Sequence, residues 1–121
     1  MPLPTQQRLN DHLFRWDAEI KEYEAALIAF GVKKANHEFR RAVVMETAKA
    51  GNEKLSQALA ERIADADDEA HSLHLEFRSA ESMVAAKKAR LAWCSAVADA
   101  LRSEIATERA EAQLYSGSGQ P

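Results

Sequence analysis

The sequence predicts an all-α fold: a long antiparallel two-helix hairpin with coiled-coil packing that associates further into a helical bundle. Three observations support this prediction. The 121 residues include only four glycines and three prolines, and 29% are charged, a composition typical of long helices because Ala, Glu, Lys and Arg lose little rotamer freedom there. Apolar residues recur at alternating spacings of three and four in both halves of the chain. Gly51 and Asn52 interrupt the pattern near its middle.

The first helix is predicted over residues 6–50. Thr5 is its expected N-cap because a threonine hydroxyl accepts hydrogen bonds from the free backbone N–H groups of a first turn. The face of this helix that is predicted to pack against its partner is here called its seam. The seam is apolar as far as Phe30 and then continues through Lys34, His37 and Arg41, which are basic or titratable. Gly31 lies at this change, and we favour a continuous helix over a kink because no proline or capping residue follows it. The apolar part of the seam consists of Leu9, Leu13, Trp16, Ile20, Tyr23, Leu27 and Phe30.

The second helix is predicted over residues 56–114, after a turn at 51–55, with Ser56 as its N-cap. The alternation of four and three holds without a skip from Leu59 to Ile105. So regular a heptad favours coiled-coil packing, because the apolar stripe of an ordinary surface helix drifts with the 3.6-residue period. Residues 1–114 are therefore assigned to a single hairpin. Residues 115–121 are assigned to a flexible tail because of their serines and glycines.

One register pairs the seams of the two helices at every layer. It sets Phe30 against Phe77 and Trp16 against Leu91. In every other facing pair, the two residue numbers have the same sum as in these two pairs. Residues after about Ala100 then have no partner within the chain. Near the turn, long basic side chains face small alanines and reach nearby acids, which would fix the alignment more than it adds stability. This register lock consists of Arg40, Arg41, Asp65, Asp67, Asp68 and Glu69.

A second apolar stripe on the second helix predicts self-association. It flanks the main seam and lies beside the unpaired end, so a two-helix hairpin cannot cover it and a further helical surface is needed. We therefore expect a homo-oligomer, and an unidentified protein partner also remains open. The expected oligomer or partner interface consists of Met83, Arg90, Trp93, Val97, Leu101 and Ile105.

The sequence patterns do not indicate catalysis, cofactor binding or metal binding. The chain lacks the GxxxxGK[ST], GxGxxG, HExxH and GxSxG patterns, and a narrow hairpin has little volume for a pocket. The first helix offers only His37 and Glu38 as metal ligands, so solvated histidines are favoured over a carboxylate–metal site. We expect a non-enzymatic protein without metal or cofactor. The one metal-like spacing on the second helix comprises Asp68, Glu69, His71 and His74.

Charge and cysteine content indicate a cytoplasmic protein. The single cysteine, Cys94, cannot form an internal disulfide and is interpreted as a small core residue in the seam. The N-terminus lacks the apolar region of a signal peptide, and no apolar run is long enough to span a membrane. With a net charge of −3, nucleic-acid binding is not favoured, although Lys87, Lys88 and Arg90 form a weak basic patch.

The stretch 75–112, together with the run 20–26, resembles small helical proteins encoded by phages and prophages, often beside early replication and recombination genes. The resemblance implies a phage-derived accessory protein in the cytoplasm of a bacterial host, and it carries no catalytic motif. A self-associating protein–protein interaction module is the favoured function. One alternative is a replication or recombination accessory that touches DNA through the basic patch. Another is an inhibitor of a host defence or replication protein that uses the acidic residues 65–69 as a nucleic-acid mimic.

Overall fold

A computed structural model describes residues 4–118, and every regular element in this range is an α-helix. Helix α1 spans Pro4–Gly51, α2 spans Gln57–Ala66 and α3 spans Asp68–Ser118. The predicted all-α class is therefore confirmed. The described residues form two compact units: unit 1 comprises 4–22 and 87–118, and unit 2 comprises 23–86. Across residues 4–118, the helices contain no segment long and apolar enough to cross a membrane.

Helix α1 begins one residue earlier than its predicted cap. Pro4 opens the helix, where its fixed φ suits helical geometry and its missing N–H costs nothing. Thr5 is buried inside the first turn, and its hydroxyl donates a hydrogen bond to the carboxylate of Glu108 on α3. The prediction of Thr5 as the N-cap is therefore wrong, because its hydroxyl makes a tertiary contact instead. The helix continues through Gly31 without interruption, as expected.

The turn after α1 is closed by local hydrogen bonds. The backbone N–H of Asn52 donates to the carbonyl of Ala48 at 3.1 Å, and the side-chain oxygen of Asn52 accepts from the backbone N–H of Lys54 at 3.1 Å. The hydroxyl of Ser56 accepts from the backbone N–H of Leu59 at 3.2 Å. Ser56 is therefore the N-cap of α2, as predicted.

The predicted second helix is in fact two helices, separated at Asp67. This residue has an extended ψ of 129°, and its carboxylate accepts from the backbone N–H of Ala70 at 3.0 Å. Aspartate favours caps over helix interiors because its side chain competes for nearby backbone groups. At the other end, α3 continues through Ser118, so residues 115–118 are helical and not part of a tail. The remaining tail residues, 119–121, lie outside the described range.

The core of unit 1 lies between the first turns of α1 and the C-terminal half of α3. Leu9, Ala98, Leu101 and Ile105 form its buried cluster, with Trp16 and Val97 packed against it. The expectation that Leu101 and Ile105 have no partner within the chain is therefore wrong. Helical side chains lean toward the N-terminus of their own helix. In an antiparallel pair, a side chain on α1 therefore meets residues farther along α3 than a count of Cα positions suggests.

Unit 2 is built around small side chains and one aromatic contact. The rings of Phe30 and Phe77 stack with their centroids 5.4 Å apart, which is the layer that the predicted register sets. Its buried hydrophobic residues are all alanines: Ala26, Ala60, Ala64 and Ala70. On α2, Ala60 and Ala64 are buried in place of the predicted seam residues Leu59 and Ile63, which are exposed, because the break at Asp67 separates α2 from the heptad repeat of α3.

Candidate functional site

The face of α1 that packs against α3 differs from the predicted seam at alternate positions. The shared positions, Leu9, Trp16, Tyr23, Phe30 and His37, are buried or half-buried. Between them, the structure buries or half-buries the residue one step earlier than predicted: His12, Glu19, Ala26, Lys33 and Arg40. The apolar residues predicted for those positions are instead exposed by 36% at Leu13, 38% at Ile20 and 42% at Leu27.

The seam of α3 follows the sequence prediction closely. From Ala70 to Ile105, each predicted seam residue is buried or half-buried in its own unit. Cys94, a free cysteine, is 1% exposed in unit 1. Its backbone carbonyl accepts a hydrogen bond from Nε2 of the buried His12 at 2.7 Å. This contact was not predicted, because Leu13 was placed in the seam at that layer.

Three ion pairs join α1 to α3 among the described residues of unit 1, and the longest of them, between Arg8 and Glu104, measures 3.7 Å. Nζ of Lys87 lies 2.7 Å from Oε2 of Glu22, and Nε of Arg90 lies 3.2 Å from Oε1 of Glu19. The hydrogen bond and charge of Lys87 lower the pKa of Glu22, and the hydrogen bond to Glu22 raises the pKa of Lys87. Two members of the weak basic patch are therefore neutralised within the chain, whereas no ion pair of Lys88 occurs in the described part.

Sequence reasoning missed the ion pair between Arg90 and Glu19. A signal was present, because Glu19 and Glu22 are three residues apart and so are Lys87 and Arg90. Side chains with that spacing share one face of a helix. In the antiparallel register the two acids face the two bases.

The six residues predicted as an oligomer interface differ in burial and belong to different units of the structure. Leu101 and Ile105 are buried in the core of unit 1. The guanidinium of Arg90 lies over the indole of Trp93, 4.8 Å from the ring centroid, and Trp93 remains 52% exposed. Val97 is half-buried beside the core. Met83 belongs to unit 2, where it is about half exposed.

Five of the six register-lock residues meet in unit 2. Nε of Arg40 lies 2.9 Å from Oδ2 of Asp67 and 3.2 Å from Oε2 of Glu69, and Nε of Arg41 lies 2.9 Å from Oδ1 of Asp65. Hydrogen bonding to Arg40, and then to the backbone N–H of Ala70, lowers the pKa of Asp67. Hydrogen bonding to Asp67 raises the pKa of Arg40. The sixth residue, Asp68, makes no ion pair in the described range.

A cleft of about 450 Å³ in unit 2 contains three histidines, His37, His71 and His74, beside Arg41 and Asp65. The rings of His37 and His74 are 5.1 Å apart between centroids. Burial, followed by the charges of His74 and Arg41, lowers the pKa of His37. Within residues 4–118, no group of three or more His, Cys, Asp or Glu residues is arranged to hold a metal ion.

Comparison of the chain with known protein families, with curated proteins and with solved structures gives no match. The function of the chain is therefore inferred from the surfaces and contacts of the two units.

Proposed function

We propose that the chain is a non-enzymatic, self-associating protein–protein interaction module built as an antiparallel coiled-coil hairpin. The observation that carries this proposal is the distribution of apolar side chains. Within the described residues, the largest fully buried side chain is Cys94, and most other buried hydrophobic residues are alanines. In contrast, Phe14, Ile28 and Phe39 are 81%, 70% and 72% exposed.

This distribution favours a partner for energetic reasons. Burying a large apolar side chain contributes about 1.5–3 kcal/mol relative to leaving it in water. The chain does not gain this free energy at its exposed large apolar side chains, and it packs its interior mainly with small side chains. Extended exposed apolar surfaces are typical of interaction sites, and further helices would supply the missing cover, as they do in four-helix bundles.

The internal ion pairs weigh against the two alternatives. A DNA contact would use Lys87, Lys88 and Arg90, but Glu22 and Glu19 already pair with two of these cations. A nucleic-acid mimic needs free acids, but Asp65, Asp67 and Glu69 pair with Arg40 and Arg41. The resemblance to phage-encoded helical proteins supports an accessory role in a bacterial cytoplasm, and it agrees with an interaction module.

Sedimentation velocity over a range of concentrations tests this proposal. We expect the mass to exceed that of the 13.4 kDa chain at tens of micromolar, with a larger oligomeric fraction at higher concentration. A monomer throughout that range would contradict self-association. Fluorescence anisotropy with labelled duplex DNA tests the main alternative, and salt-dependent binding there would favour the DNA accessory function.

A further inference from the structure

We propose that two copies of the chain associate through one face of α1, with the two α1 helices packed side by side in opposite directions. This inference rests on the proposed self-association and names the surface that performs it. The surface, here called the outer face, is a second run of residues on α1 with alternating spacings of four and three, which begins at Lys21 and ends at Glu46. Between these charged ends lie six exposed apolar residues: Ala25, Ile28, Val32, Ala35, Phe39 and Ala42.

The outer face points away from the helix that α1 already contacts. The ring of Phe30 stacks on Phe77 of α3 with the centroids 5.4 Å apart. Because successive residues are about 100° apart around a helix, Ile28 and Phe39 lie on nearly the opposite side of α1 from Phe30, and they are 70% and 72% exposed. A helix with apolar residues on two opposite sides is typical of one that packs between two neighbours. The chain supplies one of these neighbours, and no described residue covers the outer face.

The charges at the two ends of the outer face select a second copy of α1 as the other neighbour. The outer face has a base at one end, Lys21, and an acid at the other, Glu46. When two copies of α1 pack antiparallel, Lys21 of each copy lies opposite Glu46 of the other, and the contact occurs twice. A parallel pair would set each charge against its own counterpart, and like charges would oppose it. The outer face is therefore complementary to itself in the antiparallel arrangement.

Neighbouring charges agree with this pairing. Asp17 lies one turn before Lys21 and already pairs with it at 3.3 Å, and Lys49 lies one turn after Glu46. In the antiparallel pair, Lys49 of one copy comes beside Asp17 of the other, so that acids and bases face each other at both ends. Glu24 of the other copy is the nearest like charge to Glu46, but it lies at the flank of the outer face, farther from Glu46 than Lys21 does.

The same alignment brings the apolar residues of the two copies together. Ile28 of each copy lies opposite Phe39 of the other, and Val32 lies opposite Ala35, so that a large side chain faces a small one at the centre. A two-fold axis perpendicular to α1 relates the two copies, so each of these contacts also occurs twice. The alignment therefore covers Ile28, Val32 and Phe39, which the chain alone leaves more than half exposed.

An acid beside the outer face opposes shifted alignments. Glu38 flanks the outer face, and with Ile28 opposite Phe39 it meets Gly31 of the other copy, which has no side chain. A shift by one heptad in one direction would set Glu38 against Glu24 of the other copy, and a shift in the other direction would set it against the second Glu38. Contacts between acids disfavour both shifts.

Charge reversal at the two ends of the outer face tests the inference. Sedimentation equilibrium on the full chain should show that Lys21→Glu and Glu46→Lys each weaken the dimer by about tenfold or more, because each places like charges together at both ends. Mixing the two variants should restore dimerisation, because one end of the heterodimer then pairs the substituted side chains with reversed polarity and the other end keeps the native Lys21 and Glu46. The two residues are about seven helical turns apart on α1, so a contact within one chain cannot produce this recovery. Lys88→Glu, at an exposed position of α3, makes the same change in net charge as Lys21→Glu and should leave the dimer affinity unchanged.

Two exposed phenylalanines of α1 test the alignment. Phe39 lies within the proposed interface, whereas Phe14 lies beyond Lys21, opposite the residues that follow α1 in the other copy. Phe39→Ala should therefore weaken the dimer by about tenfold or more, whereas Phe14→Ala, which removes a similarly exposed ring, should weaken it by about twofold at most. Circular dichroism confirms the helicity of every variant.

The outcomes separate the inference from the proposed function. A wild-type chain that stays monomeric overturns self-association and the inference with it, and leaves the outer face for a different protein. A wild-type dimer that Phe39→Ala and both charge reversals leave intact overturns the outer face while self-association stands. Single reversals that weaken the dimer but fail to recover on mixing overturn the antiparallel arrangement. A loss with Phe14→Ala equal to that with Phe39→Ala overturns the alignment of Lys21 with Glu46.

Discussion

The core of unit 1 accepts only a small side chain at Ala98. Ala98 is completely buried beside Leu9, so the larger isobutyl side chain of a leucine at this position must displace its neighbours. We expect Ala98→Leu to lower the free energy of unfolding by about 1–3 kcal/mol, measured by urea denaturation. Ala96→Leu, at an exposed position of the same helix, is the matched control and should stay within about 0.5 kcal/mol. Equal effects at the two positions would contradict the tight packing.

His37 makes the stability of unit 2 depend on pH. Burial, with the neighbouring charges of His74 and Arg41, lowers its pKa below the ordinary value of 6.5, and the smaller effects of Asp65 and Glu38 oppose this. As the pH falls below 6.5, the unfolded chain therefore binds a proton at His37 before the folded chain does. Stability falls through that range and is unaffected by His37 above it.

The melting temperature between pH 8 and pH 5 measures this dependence. We expect His37→Gln to reduce the loss of melting temperature below pH 6.5 relative to the wild type. His71→Gln, at an exposed position of the same cleft, provides the comparison and should keep the wild-type slope. If His37→Gln leaves the slope unchanged, another group is responsible for it.

Among the elements, the break between α2 and α3 depends on Asp67. Its carboxylate caps α3 at Ala70 and also binds Arg40. We expect Asp67→Ala to cost about 1–2 kcal/mol, the usual effect of losing a helix cap, whereas Asp67→Asn should cost less because an amide oxygen still accepts the capping hydrogen bond. Urea denaturation measures both, with Asp99→Ala on α3 as control. An equal loss for Asn and Ala would show that the charge matters and the cap does not.

The helices themselves could be predicted from the sequence, but the face that α1 turns to α3 could not. On α3 the unbroken alternation of four and three selects the seam that the structure buries, although a second apolar stripe flanks it. On α1 the residues His12 and Leu13 both adjoin the seam position Leu9, and hydrophobicity selects Leu13. The structure selects His12 because its ring reaches the carbonyl of Cys94, a pairing that a pattern of apolar residues does not contain.

The heptad pattern of apolar residues also could not predict the break at Asp67. Four residues in the segment 65–69 are acidic, and each is compatible with the solvated face of a continuous helix. Asp67 differs from these neighbours because its carboxylate both caps α3 at Ala70 and accepts two hydrogen bonds from Arg40 on α1. Such a contact depends on how two distant segments meet, whereas the heptad pattern reports one helix at a time.

At the scale of the whole molecule, the small core would link folding to the proposed self-association. A chain that leaves its large apolar side chains exposed gains stability when a second copy covers them, so its melting temperature should rise with protein concentration. If unfolding and dissociation are coupled, an unfolding enthalpy of about 0.7 kcal/mol per residue gives a rise of about 3 °C for each tenfold increase in concentration. Differential scanning calorimetry measures this rise. A wild-type melting temperature that is independent of concentration would show that each chain folds alone.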